Sequence, residues 1–219
     1  KRTDRETNEG VVKVAVSVDG TEAYIFELTS ETDFVSRNEK FQNFANEVMN
    51  LILSSRPETL ESLLSLSMAQ GSVQENLASL SGTIGEKMEI RRYGRLQGSS
   101  LAAYSHLGSK LGVLVSLDQP GQTELASEIA MQVAAANPKY LDPSQVVAEE
   151  MAKEREIYRE QLLKEGKPEA MVEKILDGKM LKYYSEVCLL EQEFIKDDKK
   201  KVKDILGGAK ILGFLRFAL

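Results

Sequence analysis

Covalent catalysis by side chains needs a nucleophile beside a base, and His106 is the single imidazole in the sequence. A Ser–His or Cys–His pair would have to use it; a lone His near a strand end is more often structural or at an interface. Cys188 lies among Val187, Leu189 and Leu190, the setting of a small buried apolar residue. One Cys and one His exclude an internal disulfide and a Cys/His zinc cluster. Gly82-Thr83-Ile84-Gly85-Glu86-Lys87 has the glycines of a phosphate loop but not its length or its Lys-Ser/Thr ending, and it follows a helical pattern rather than a strand. Arg91, Arg92 and Arg95 flank Tyr93, which is the composition of a basic–aromatic patch. Solvated strand positions explain the same residues more simply. The remaining oddity is Thr32-Asp33-Phe34-Val35, where a large aromatic stands between an acidic residue and the start of a helix. Phe34 either staples its own helix start or projects as an exposed anchor for a partner pocket. The residues alone favour the staple.

Composition narrows the classes. The chain has 219 residues, enough for one large or two small domains. Hydrophobic residues are 42% and charged residues 28%, a globular balance. Lys and Arg number 28 against 34 Asp and Glu, a net charge of −6, which argues against nonspecific nucleic-acid binding. Single-cysteine usage fits a reducing compartment. No apolar run approaches the ~20 residues of a membrane span. The sequence begins at Lys1, so a processed product or a fragment is expected.

The elements that must position these residues are legible as patterns. Lys1–Gly10 is polar and reads as a linker. Val12, Val14, Val16 and Val18 alternate as in a strand, Asp19-Gly20 is a two-residue hairpin signal, and Tyr24, Phe26 and Leu28 alternate on the return. Phe41, Phe44, Ala45, Val48, Leu51 and Ile52 recur at helical spacing from Asn38 to about Leu53. Pro57 suits the first turn of a short helix carrying Leu60, Leu63, Leu64 and Leu66. Ser72 and Glu75 form a capping box opening a helix towards Gly82. Met88–Leu96 reads as a strand, Leu101–Leu107 and Leu111–Leu117 as a hairpin, and Thr123–Ala136 as a helix stopped by Asn137-Pro138. Phe44-Ala45-x-x-Val48 and Ile129-Ala130-x-x-Val133 hint at two hairpin-plus-helix units.

Beyond Asp142-Pro143, which reads as a helix start, the pattern changes. Val147, Met151, Tyr158 and Leu162 stripe one charged helix; after Gly166-Lys167-Pro168, Val172, Leu176, Tyr183 and Val187 stripe a second, with Gly178 a soft spot. This predicts an antiparallel helical hairpin, either packed on its own domain or serving as a docking or dimerisation arm. Asp198–Leu206 reads as a short basic helix and Ile211–Leu219 as a closing strand.

Ser30-Glu31-Thr32-Asp33-Phe34-Val35-Ser36-Arg37-Asn38 closely resembles the signature of the bacterial and organellar elongation factor Ts family. Ile84-Gly85-Glu86 with Ile90-Arg91-Arg92, Tyr104-Ser105-His106 with Gly112-Val113-Leu114-Val115, Ile129–Ala135, Gly166-Lys167-Pro168 and Phe214-Leu215-Arg216-Phe217 resemble it further, in order. The resemblance implies an α+β fold: two related subdomains of antiparallel β-hairpins packed by helices, plus a protruding helical hairpin. The expected organisation is a linker at 1–10, subdomains at 11–98 and at 99–142 with 191–219, and the hairpin at 143–190.

It also implies a guanine-nucleotide exchange factor acting on elongation factor Tu, working without covalent chemistry, cofactor or metal, binding no nucleotide itself and requiring no nucleic acid. Asp33 and Phe34, supported by Thr32 and Val35, would enter a pocket on the partner's G domain and disturb its Mg²⁺ site. Ile84, Gly85, His106 and Ile195 would add contacts, with His106 at the surface on the same side as Phe34. Lys196 stands where the family has a second apolar residue. The family's N-terminal helical module is not among these residues, and its lost contacts are expected to weaken affinity for elongation factor Tu. A bacterial cytoplasm, organellar matrix or stroma is the expected setting, and a homodimer through the hairpin stays open. The competing classes are a hairpin assembly protein without exchange activity and a small-molecule enzyme built on His106.

Overall fold

The computed structural model describes residues 5–219. In chain order the elements begin with β1 (Glu9–Val16), β2 (Glu22–Ser30), α1 (Asp33–Ser36), α2 (Glu39–Ser55) and α3 (Leu60–Ser65). β3 (Ser67–Met68), β4 (Gly71–Ser72), α4 (Val73–Ile84), β5 (Met88–Gln97), β6 (Ser100–His106), β7 (Leu111–Leu117) and α5 (Thr123–Ala136) follow. The last are α6 (Ala148–Lys164), α7 (Glu169–Val187), β8 (Glu193–Phe194), β9 (Asp197–Lys201) and β10 (Ile211–Ala218). The fold is α+β, with antiparallel pairing throughout the named strands. The chain divides into two compact units, one made of residues up to 134 with 209–219 and the other of 135–208.

The first unit holds two three-stranded sheets, ordered β1-β2-β5 and β10-β7-β6. Each is a hairpin whose second strand later accepts a third strand, so one element order is used twice. β2 is buried along its whole length because both faces are covered. Tyr24, Phe26 and Leu28 pack with Phe41, Val48 and Ile52 of α2 and Leu77 of α4. Ala23 and Ile25 point the other way, into a core shared with Leu101, Leu114 and Phe217 of the second sheet. Of the expected linker, residues 1–4 lie outside the described residues. Thr7 is buried, with its hydroxyl 3.0 Å from a Glu89 carboxylate oxygen, and β1 already begins at Glu9.

Local chemistry explains the differences from the sequence patterns. Ser17 N–H still donates to the Glu22 carbonyl (2.8 Å), so the first hairpin has a four-residue loop rather than a two-residue turn. The Asp19 carboxylate organises that loop by accepting from the Ser17 and Thr21 hydroxyls and the Thr21 N–H, leaving Val18 fully in solvent instead of in the strand. Thr59, not Pro57, opens α3, because Thr59 and Ser62 satisfy each other's backbone in a capping box. The predicted box of Ser72 and Glu75 opens α4, which runs to Ile84 and closes on Gly85 at φ 89°. Glu27 of β2 is fully buried and pairs with Arg91 (3.3 Å) and Arg92 of β5. Arg92 also lies 4.4 Å from the Phe217 ring centre. Two of the three arginines therefore neutralise an internal carboxylate and form no strip for nucleic acid.

In the second unit α6 and α7 run antiparallel. The Tyr184 hydroxyl meets Met151 Sδ at one end, and Leu162 meets Val172 and Leu176 at the other. Asp142-Pro143 opens only a 3₁₀ turn, Pro143–Gln145. Its Asp142 cap is satisfied within that turn, and α6 starts afresh at Ala148. Val147 consequently stands outside the stripe as an exposed residue before α6. Backbone bonds close the base of the pair: Lys139 and Tyr140 N–H donate to Val187, and Leu189 and Leu190 N–H donate to Tyr140 and Leu141. The basic segment is not a helix. Asp197–Lys201 is a strand paired with β8, followed by a 3₁₀ turn, Val202–Ile205. An extended chain separates lysines that a helix would crowd, and it lets Lys201 and Lys203 both reach Glu191 (2.7 and 2.8 Å).

Glu150 ties this base together. It accepts from the hydroxyls of Tyr140 (2.6 Å) and Tyr183 (2.5 Å), which, with Lys139, hold its pKa at about 2, below the usual carboxylate range. A depressed carboxylate pKa stabilises the fold fully above the unfolded value, near 4.5, and that contribution is lost as pH falls through about 2. Amide exchange at the C-terminal end of α7 should therefore accelerate between those limits. Glu150→Gln should abolish that acid step; an unchanged profile would refute the assignment.

Candidate partner-binding site

α1 has four residues, too few to hold a helix unaided. It is fixed from outside. Thr32 Oγ1 accepts from Val35 N–H (3.4 Å), and Ser30 Oγ donates to the Thr32 carbonyl (3.0 Å). Gln42 Nε2 donates to the Ser36 carbonyl (2.6 Å), and Asp33 pairs with Arg37 (3.3 Å). Val35 and Ser36 turn inward and are buried, so the intervening geometry directs Phe34 outward. Its ring is 84% exposed, which removes the staple reading. A large apolar side chain therefore stands in water on an anchored backbone.

The Ile84-Gly85 bend lies against this loop. Glu86 accepts from Thr32 N–H (3.0 Å) and from the Thr32 hydroxyl (2.7 Å). In return, Glu31 accepts from Lys87 N–H (2.6 Å). Ile84 is half-buried against the first core, and Gly85 is exposed.

His106 ends β6 and is exposed, stacked on Tyr104 with Nδ1 2.9 Å from the Tyr104 hydroxyl. The turn after it carries Leu107, 69% exposed at φ 53°, a conformation bulky side chains rarely adopt. Val12 N–H donates to the Ser109 carbonyl (2.6 Å), and Lys110 pairs with Glu9 (2.5 Å). Glu9 lies opposite Ser30, immediately before the Phe34 loop. Thr32, Asp33, Phe34, Val35, Ile84 and Gly85 thus lie on two loops joined by the Glu86–Thr32 and Glu31–Lys87 bonds, while the turn after His106 reaches β1 at Glu9 and Val12. Ile195 belongs to the second unit. It stands with Lys196 in the two-residue turn between β8 and β9, 48% exposed, while Phe194 beside it is buried.

Chemistry at these positions is sparse. Among the described residues no cluster of three or more His, Cys, Asp or Glu could hold a metal ion. Burial raises the Cys188 thiol to about 11, so it stays protonated at neutral pH. No helix among the described residues is long and apolar enough to cross a membrane.

A family profile described as Elongation factor TS matches residues 31–219. Elongation factor Ts of Prosthecochloris aestuarii is 44% identical over 215 residues, covering 94% of this chain and 75% of the relative. Elongation factor Ts of Chlorobaculum tepidum is 43% identical over 236 aligned positions, covering all of this chain and 82% of the relative.

The chain belongs to the elongation factor Ts family. Membership supports nucleotide exchange on elongation factor Tu during translation, a role that makes and breaks no covalent bond in the partner. The sequence motifs single out the Phe34 loop, the Ile84-Gly85 bend and His106 as candidates. Leu107 and Glu86 are not among those candidates. Leu107 has an ordinary strand-end sequence, and its exposure comes from the turn geometry. Glu86 acts on a residue 54 positions away, which no local spacing reveals.

Proposed function

We propose that the end of the first unit carrying Phe34 docks on the G domain of elongation factor Tu and that the Phe34 ring enters a pocket there. The ring displaces the elements holding Mg²⁺ and so weakens GDP binding. Asp33 accompanies it, Thr32 and Val35 support the loop, and Ile84, Gly85 and His106 widen the contact. Ile195 adds an apolar contact from the second unit, with Lys196 changing its neighbour. The carrying observation is the exposed ring on a backbone held from both sides. Ring burial can then occur in the complex at little ordering cost.

The thermodynamics require no nucleotide site on this chain. Lowering GDP affinity by some factor means that GDP lowers affinity for this protein by the same factor. The chain must bind the nucleotide-free G domain more tightly than the loaded one, since only differential affinity shifts the equilibrium. The setting we propose is the bacterial cytoplasm. The deciding measurement is release of labelled GDP from purified elongation factor Tu with and without this chain. No acceleration at micromolar concentrations of the chain would end the reading.

We assign α6 and α7 to a docking arm separable from the exchange surface. The backbone bonds of 139–141 with 187–190 hold the two ends of the excursion together, so a short Gly linker can replace 148–186. The shortened chain should keep its amide protection in β1, β2 and β7 and much of its exchange activity. Collapse of that protection would show the arm to be integral to the fold.

A further inference from the structure

We propose that Glu86 is a positioning residue for Phe34, setting the ring's direction through Thr32; this rests on the docking role given to Phe34 above. Two consecutive residues in each loop make the exchange. Glu31 receives the N–H of Lys87, and Glu86 receives the N–H of Thr32. The loop that presents Phe34 and the bend that presents Ile84 and Gly85 are therefore clamped by two charged acceptors on backbone donors, the stronger class of hydrogen bond.

Glu86 does more than tether. Because Thr32 Oγ1 donates its proton to Glu86 Oε1, its lone pairs are left for Val35 N–H, the cap contact that starts α1. Thr32 is thus oriented by its backbone N–H and by its hydroxyl at the same time. Phe34 lies between the Thr32 cap and the Val35 N–H that it holds. Glu86 itself is fixed by its own backbone, since its carbonyl accepts from Ser81 Oγ (2.6 Å) in the last turn of α4. The path from α4 to the ring is thus held at the Glu86 carbonyl, at both Glu86 carboxylate oxygens and at the Thr32 cap. Releasing it lets a four-residue turn fray, and the ring must then be ordered again whenever it enters a pocket.

The test is a double-mutant cycle on stimulated GDP release with Glu86→Ala and Phe34→Ala, each checked for its melting midpoint. Glu86→Ala should slow release roughly three- to tenfold with Phe34 present. It should have no further effect once Phe34 is Ala. Glu86→Gln, which retains one acceptor oxygen, should lie between. An equal loss in both backgrounds would mean that Glu86 acts elsewhere and would overturn the proposal; so would an unchanged rate for Glu86→Ala where Phe34→Ala is slow. If Phe34→Ala itself is as active as the parent, the docking role fails first. Amide exchange of the isolated chain then judges the clamp separately. Faster exchange at Thr32 and Val35 in Glu86→Ala, with β1 and β2 unchanged, supports the positioning; unaltered exchange there refutes it.

Discussion

Phe34→Ala should leave the melting midpoint nearly unchanged while cutting stimulated GDP release roughly ten- to hundredfold. The ring is 84% exposed and contributes little to either core, so its removal opens no cavity. Burial in a partner pocket is worth roughly 1.5–3 kcal/mol for such a side chain. If burial occurs only in the exchange complex, that converts to about one to two powers of ten in rate or affinity. Melting and GDP release are measured on one preparation. A midpoint that drops sharply would return Phe34 to a packing role. A well-folded variant with parental release would remove it from the interface.

Gly10→Ala should do the reverse. Gly10 sits in β1 at φ 152°, and an added Cβ would lie 2.1 Å from the Leu28 carbonyl oxygen and 2.8 Å from the Thr29 Cα. Both neighbours are backbone in a fully buried strand, so neither can rotate away. Backbone strain and overpacking together cost roughly 2–5 kcal/mol. At ~2–4 °C per kcal/mol for a chain of this size, the midpoint should fall by roughly 4–20 °C. Thr29 leads directly into the Phe34 loop, so exchange should fall with the folded fraction and recover where folding is restored by lower temperature. A melting point within two or three degrees (about the effect of 1 kcal/mol) would show that β1 shifts freely at this residue. The two variants separate loss of the interface from loss of the fold.

What the sequence disclosed follows physical range. α2, α4 and α5 were legible because their apolar faces and caps lie within a few residues of one another. β2 was legible as a strand but not as one covered on both faces, since its second cover comes from residues near 101, 114 and 217. The Asp197–Lys201 strand was missed because its stability lies in pairing with β8 and in Glu191, not in any period of its own. The Phe34 motif was conspicuous, yet the residues alone favoured the wrong environment for its ring. Exposure depended on Val35 and Ser36 filling the inward positions, which a sequence does not display. The Glu31 and Glu86 clamp was out of reach because carboxylate-to-backbone bonds leave no complementary side-chain signature.

The place of β10 in the second sheet has a consequence for how this chain is made. β7 pairs with β6 as soon as both have been synthesised, but its other edge is filled only by Ile211–Ala218. The whole stretch 135–208, a contiguous unit, is translated in between and can fold while still tethered to the ribosome. During that interval β7 offers a row of free backbone donors and acceptors above an apolar strand, a template for pairing with another nascent chain. Completion of the first unit therefore waits for Ile211–Ala218 to leave the ribosome and pair with β7. A product that stops after Gly208 but short of Ile211 has its second unit finished and an open sheet that invites aggregation.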